Sequence, residues 1–341
     1  MTLGEQVKEK RIQHHYSQSE LSALSGLTVR TIQRIENNEG KPSLHSLKTL
    51  GEVLKSNFLA TEDSPVEKAY EISFNVKISN MNQSLTYIHP EAIIGENVTI
   101  DPFVSIQKNV IIGDGTWIGS NVTIMEGARI GKNCKIFPGA VISAIPQDLK
   151  YNGENTTAEI GDNTTIREFV SINKGTTEKY KTVVGKNCLI MAYAHVAHDC
   201  ILGDHIILAN SVNLAGHVTI EDYAILEGMA AVGQFLTIGA HSFVAGGTLV
   251  RKNVPPFTKA AREPISYVGI NSVGLRRRGF TEINIRQIED IYRILFVRGL
   301  STSNALAQIE SEIPSSPIKD QILSFVKNSK EGIMKGIGRN V

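Results

Sequence analysis

The chain has 341 residues, 41% of them hydrophobic, which suits a globular protein long enough for two domains. Three cysteines (Cys134, Cys188, Cys200) are too few for a disulfide framework or a zinc cluster. No secretion signal or run of 18 apolar residues occurs, so a cytoplasmic protein without a membrane span is expected. The net charge of +1 is uneven: Lys and Arg less Asp and Glu give +2 over 1–60, −8 over 61–250 and +7 over 251–341. The basic end suits an anionic partner or a solvated helical surface.

Residues 1–58 read as a compact all-α domain. Ser17 with Glu20 forms a capping box that starts a helix at Gln18, Ser25-Gly26 ends it, and Thr28 caps the next helix to about Glu36. Pro42 precedes a further helix over Leu44–Leu54. Helix, Gly-containing turn, helix is the helix-turn-helix pattern. The stretch Ser17–Glu36, together with Pro42 and the Leu44–Leu54 helix, resembles the Cro/repressor-type DNA-binding family. That resemblance places the second helix of the motif in a major groove, with Thr28, Arg30, Thr31, Gln33 and Arg34 on its exposed side and Gln18 beside a phosphate. A protein-interaction module with the same helices is the alternative. Residues 59–86 have no clear period and read as a linker.

Residues 87–255 follow a different rule. From Ile88 to Val250, every sixth residue is Ile, Leu or Val at 25 of 28 positions; the exceptions are Asp148, Glu154 and Glu178. A six-residue repeat fits neither a helix nor an ordinary strand. It fits short strands joined by turns, three to a triangular coil, whose stacked coils bury one aliphatic column. The expectation is a parallel β-helix, making the chain mainly β. The exceptions mark loops leaving it, at Pro146–Glu154 and Thr176–Tyr180, and the first is a candidate wall of a site. Residues 256–341 read as a C-terminal helical domain. Helical periodicity runs over Thr281–Arg298 and about Ser303–Ile313, and Ser316-Pro317 opens a third helix.

The densest chemistry is Ala194-His195-Val196-Ala197-His198-Asp199-Cys200. A histidine beside a carboxylate is a general base working near neutral pH. His217 follows 18 residues after Asp199, about one coil on, so stacking should bring it near. No third ligand at a recognised metal spacing accompanies the two histidines, so no metal is expected.

AHVAHDC, LANSVNLAGHV, VPPF and GLRRRGF (274–280), with the loop PQDLKYNGE, resemble the UDP-N-acetylglucosamine O-acyltransferases of lipid A synthesis over roughly residues 85–341. The resemblance implies a left-handed β-helix working as a homotrimer. It implies transfer of an (R)-3-hydroxyacyl group from acyl carrier protein to the sugar 3-hydroxyl, with the carrier's thioester as co-substrate and no cofactor. It makes His198 the base, Asp199 its orienting carboxylate and the Gly216 amide the oxyanion donor. Asp148, Lys150, His195, His217 and Gln234 would line the sugar and acyl site. Asn271, Arg277 and Arg278 would address the uridine diphosphate, and Gly246 would bear on acyl length, its missing side chain leaving room for a longer chain. Arg251, Lys252, Lys259 and Arg262 could receive the carrier protein. Asn173 and Gly233 stand where better-known members carry histidines, and the KAAREP stretch with Pro264 also departs from the pattern. The competing reading is a DNA-binding regulator whose β-helix senses a nucleotide sugar or an acyl group.

Overall fold

The computed structural model describes residues 2–40, 42–56, 58 and 85–336. Residues 59–84, most of the expected linker, lie outside them. The chain divides into two compact units.

The N-terminal unit holds four helices among the described residues: α1 Leu3–Gln13, α2 Gln18–Ser25, α3 Val29–Glu36 and α4 Leu44–Val53. The expected caps form. Ser17 accepts from the Glu20 N–H while Glu20 returns to the Ser17 N–H, and Gly26 ends α2 in the left-handed conformation at φ 68°. Thr28 caps α3. Val7, Leu21, Ile32, Ile35, Leu50 and Leu54 form the core. Beneath α3, the Arg11 guanidinium grips the buried Glu36 carboxylate at 2.6 and 3.0 Å, and Gln18 Nε2 adds a bond at 2.8 Å.

In the C-terminal unit, two- to five-residue strands stack into three sheets of nine, eight and eleven strands among the described residues, every pairing parallel except one near the end of the third sheet. Each ordinary coil takes 18 residues: Tyr87 pairs with Ser105, and His195 with Asn213. The core is the aliphatic column read from the sequence, from Ile100 through Ile142 and Ile160 to Val250. Each fully buried member contributes about 1.5–3 kcal/mol.

The loops explain why the six-residue phase survives them. Val141 pairs with Ser171, a step of 30, so the first insertion adds 12 residues; Ser171 pairs with His195, a step of 24, so the second adds 6. Both are whole multiples of the repeat, and the three non-aliphatic phase positions are the ones that fall in the insertions.

Most corners turn through a residue at positive φ. Early corners use Asn97, Asn109, Asn121 and Asn133, which tolerate the left-handed region. Later corners place bulky rings there, and these stack one above another: His205 on Tyr223 at 4.5 Å, Tyr223 on His241 at 4.9 Å, and His241 on Phe257 at 5.6 Å.

After Val250 the repeat does not stop outright. Thr258–Ala261 adds a further parallel strand to the third sheet, and Ser266–Ile270 returns antiparallel to it. The region expected to be helical from 256 therefore opens with strands. The helices follow as α5 Ser272–Arg277, α6 Glu282–Tyr292, α7 Thr302–Glu312 and α8 Pro317–Asn328. The single helix expected to Arg298 leaves α geometry after Tyr292 and continues as a π-turn over Arg293–Val297. There Leu295 packs into the helical core, with Phe296 against it. Helical periodicity does not announce α5, which lies within GLRRRGF and its approach; Asn271 caps it.

Candidate active site

His198 and Asp199 sit at the corner between the first and second sheets, where the chain turns out of the strand His195–Val196. Asp199 is the residue at positive φ, 59°. That turn swings its carboxylate back beneath the His198 ring, and Nδ1 meets Oδ2 at 2.8 Å. Both residues are buried, Asp199 completely.

The carboxylate takes three more bonds. Oδ1 accepts the N–H groups of Thr176 and Lys179 at 3.0 and 3.1 Å, and Oδ2 accepts the Thr176 hydroxyl at 2.6 Å. Burial alone would raise the Asp199 pKa, but the bonds from Thr176, His198 and Lys179 outweigh it and hold the group below the usual carboxylate range. An ionised Asp199 fixes the His198 proton on Nδ1 and leaves the Nε2 lone pair free for a substrate. Nε2 makes no hydrogen bond among the described residues.

Gly216 lies one coil above. A Cβ there would stand 2.6 Å from His198 Cε1 and 2.7 Å from Nε2, so only glycine lets the ring lie flat against this turn. At some equivalent turns a side chain caps the amide: Asp204 N–H by Asp222, Ala240 N–H by Glu221 and Gly246 N–H by Glu227. The Gly216 N–H has no acceptor among the described residues. An unpaired backbone donor thus sits beside the free nitrogen of a base, which is the arrangement an oxyanion site requires.

The expected neighbours gather here in part. The His217 ring lies edge-on to His198 at 5.0 Å and stacks on Phe235 at 4.5 Å. Its Nδ1 is buried without a partner among the described residues, and burial lowers its pKa. His195, on the strand leading into the corner, binds Ser171 Oγ through Nδ1 at 2.8 Å; burial and the nearby His198 lower its pKa. Gln234 is exposed one coil above Gly216. Asp148 and Lys150 stand on the first insertion, where the Lys150 N–H binds Asp148 Oδ1 at 3.0 Å. Asn173 Nδ2 ties the start of that loop through the Ile145 carbonyl at 2.9 Å. His198, Asp199 and His217 offer three ligand atoms within 4.8 Å of one another, the proximity that the 18-residue spacing leads one to expect. The four donors on Asp199 nevertheless leave its oxygens little capacity for a metal.

The residues expected to address a nucleotide are elsewhere. Arg278 lies over the Tyr223 ring at 5.3 Å, at the corner between the second and third sheets. Six residues separate consecutive corners, a span of up to about 20 Å along the strand. One copy of the chain therefore does not bring Arg278 to His198. Arg277 is exposed, and Arg278 Nη1 is buried without a partner among the described residues. Asn271 is occupied: its Nδ2 donates to the His241 carbonyl at 2.9 Å and its Oδ1 accepts from the Gly274 N–H at 3.2 Å. It positions the arginine helix and keeps a second N–H and a second lone pair for another partner. Gly246 is exposed. Of the basic residues considered for a carrier protein, Arg251 already pairs with Glu263 at 2.8 Å and Lys252 binds the Glu331 carbonyl at 2.7 Å.

Comparison with known proteins agrees with this geometry. Residues 253–334 match the family model described as UDP-N-acetylglucosamine O-acyltransferase, domain 2. Bacterial transferase hexapeptide repeats match 91–116, 109–144 and 181–216, and a helix-turn-helix model matches 7–59. An acyl-[acyl-carrier-protein]--UDP-N-acetylglucosamine O-acyltransferase of Aliivibrio fischeri is 49% identical over 255 residues, 73% of this chain and 97% of that protein. The one from Herminiimonas arsenicoxydans is 45% identical over 57% of this chain and 76% of its own length. Among solved structures, a UDP-N-acetylglucosamine acyltransferase from Bacteroides fragilis superposes with a TM-score of 0.73 at 50% identity, over 75% of this chain and all of that one. The Francisella novicida enzyme gives 0.73 at 40% identity, over 76% and 95%. The coil is the left-handed β-helix of these neighbours. With relatives this similar along nearly their whole length, the chain belongs to the UDP-N-acetylglucosamine O-acyltransferase family.

Proposed function

We propose that this protein is a cytoplasmic acyltransferase that moves an (R)-3-hydroxyacyl group from acyl carrier protein to the 3-hydroxyl of UDP-N-acetylglucosamine, the first step of lipid A biosynthesis. The observation that carries it is the free His198 Nε2 beside the unpaired Gly216 N–H.

Nε2 takes the proton of the sugar hydroxyl as its oxygen attacks the thioester carbonyl. The new C–O bond leaves a tetrahedral oxyanion, which the Gly216 N–H receives without reorganisation. As the C–S bond breaks, the imidazolium returns its proton to the thiolate. Asp199 stabilises the imidazolium while it lasts. His195, His217, Gln234, Asp148 and Lys150 line the sugar and acyl site, and Gly246 leaves room for a longer acyl chain. No metal, cofactor or covalent intermediate enters this scheme.

Arg277 and Arg278 complete the site from a second copy of the chain, in a homotrimer whose sites lie between neighbouring β-helices. Their distance from His198 within one copy supports this reading. Guanidinium forks suit diphosphate oxygens.

The test is His198→Ala with a panel of acyl-carrier-protein thioesters and UDP-N-acetylglucosamine. Transfer should be abolished while the β-helix circular dichroism is kept; retained transfer overturns the mechanism. A second activity, DNA binding, is favoured by the exposure of Thr28, Arg30, Gln33 and Arg34 on and before α3. Gln18, by contrast, is held by Glu36 and Gln33. Removing residues 1–58 should abolish any DNA retardation and leave acyl transfer intact.

A further inference from the structure

Asp199 has two histidines within reach. Its Oδ2 lies 2.8 Å from His198 Nδ1 and 3.9 Å from His217 Nδ1, and the latter nitrogen is buried with no partner among the described residues. A carboxylate free to rotate about its own bond would be shared between them. The bonds that prevent this come from the six-residue insertion. Thr176 contributes both its N–H and its hydroxyl, one to each carboxylate oxygen, and Lys179 adds an N–H. Lys179 Nζ also binds the Asp199 carbonyl at 2.9 Å. The insertion is built to hold this shape: Tyr180 N–H closes on the Thr176 carbonyl at 2.8 Å, and a Cβ on Gly175 would collide with the Lys181 backbone. Ordinary coils reach the next strand without any such segment.

We infer that Thr176 is a positioning residue that commits Asp199 to His198 rather than to His217. This rests on His198 being the base of the proposed reaction. The titratable and charged groups facing the pair are His195 on the preceding strand and Glu178 and Lys179 on the insertion. None of these can replace a hydroxyl donor aimed at Oδ2.

The experiment compares Thr176→Val, which keeps the shape and loses the donor, with Thr176→Ser, which keeps the donor. In the valine variant kcat should fall about tenfold, the scale of one hydrogen bond to a charged group, with KM for the nucleotide sugar nearly unchanged. In 13Cε1-histidine NMR the His217 pKa should rise, because the released carboxylate turns toward it. Serine should restore the parent value of every one of these readouts. A valine variant with kcat within about twofold of the parent and the His217 titration unmoved overturns the inference, as does failure of serine to restore them. The NMR readout needs no turnover: a parent chain without transferase activity defeats the proposed function, and the titrations still decide the role of Thr176.

Discussion

Gly216 lies against the face of His198, so close that a Cβ would stand 2.7 Å from Nε2. Its φ is not in the left-handed region, so alanine is conformationally acceptable there and the only obstacle is the imidazole. Gly216→Ala should therefore fold and push the base away from both its substrate and the oxyanion donor. A loss of about 100-fold or more in kcat is expected, comparable to removing an oxyanion donor. Steady-state kinetics with a thermal melt checks it. A normal melt with normal kcat would mean that the ring moves freely and that this packing is unimportant.

The same crowding bears on metal. His198, Asp199 and His217 are near enough to share an ion, but Asp199 already accepts four hydrogen bonds. Binding an ion would strip donors from a buried carboxylate. Acyl transfer should survive exhaustive dialysis against a chelator, and added zinc should inhibit by occupying Nε2. Activity lost on chelation and restored by one metal would replace the base mechanism with a metal-assisted one.

The contrast between what the sequence foretells and what it conceals has a physical basis. Ile106, Ile124 and Ile142 repeat one environment every 18 residues, so their period is written directly in the chain. His198, Asp199 and His217 stand at a single corner because stacking converts 18-residue spacing into contact. Thr176 is hidden because it comes from an insertion, where no period predicts which side chain meets which coil. The structural part of Asn271 is hidden for a related reason: its amide caps α5 and binds the His241 carbonyl, a contact made across 30 residues that no local pattern announces. Nor does one chain's sequence show that Arg278 and His198 lie at different corners. That follows only once the coil direction and the Tyr223 contact are known.

In the N-terminal unit, Arg11 and Glu36 form a pair with side-chain exposures of 12% and 2%. Removing one member strands the other, at a cost of about 3–5 kcal/mol, enough to unfold a domain this small. Glu36→Ala should make residues 1–58 sensitive to limited proteolysis while the β-helix resists. Burial raises the Glu36 pKa, but Arg11 and Gln18 outweigh it and leave it below its usual value. The stabilisation is thus present above the unfolded-state value near 4.5 and lost as pH falls through the folded one. Proteolysis of the parent chain should accelerate in that acid range. A Glu36→Ala variant as resistant as the parent would show that the pair contributes nothing net.

His241 gives the C-terminal unit its own acid sensitivity. Burial in the ring stack, with the Arg278 charge beside it, lowers its pKa from 6.5 to about 4. The folded state therefore favours the neutral ring, and between about 4 and 6.5 the unfolded chain binds the extra proton. Stability must fall as pH drops through that window and level off below it. Its Nδ1 is buried with no partner among the described residues, and phenylalanine already occupies the same left-handed corner position at Phe235 and Phe257. His241→Phe should consequently keep the stack between Tyr223 and Phe257, remove the orphaned nitrogen and abolish the titration. Thermal midpoints at about pH 8 and about pH 5, on either side of the ordinary histidine value, test this. The variant should gain more over the parent at the acid pH than at the alkaline one; an equal gain at both would show that His241 does not titrate against folding.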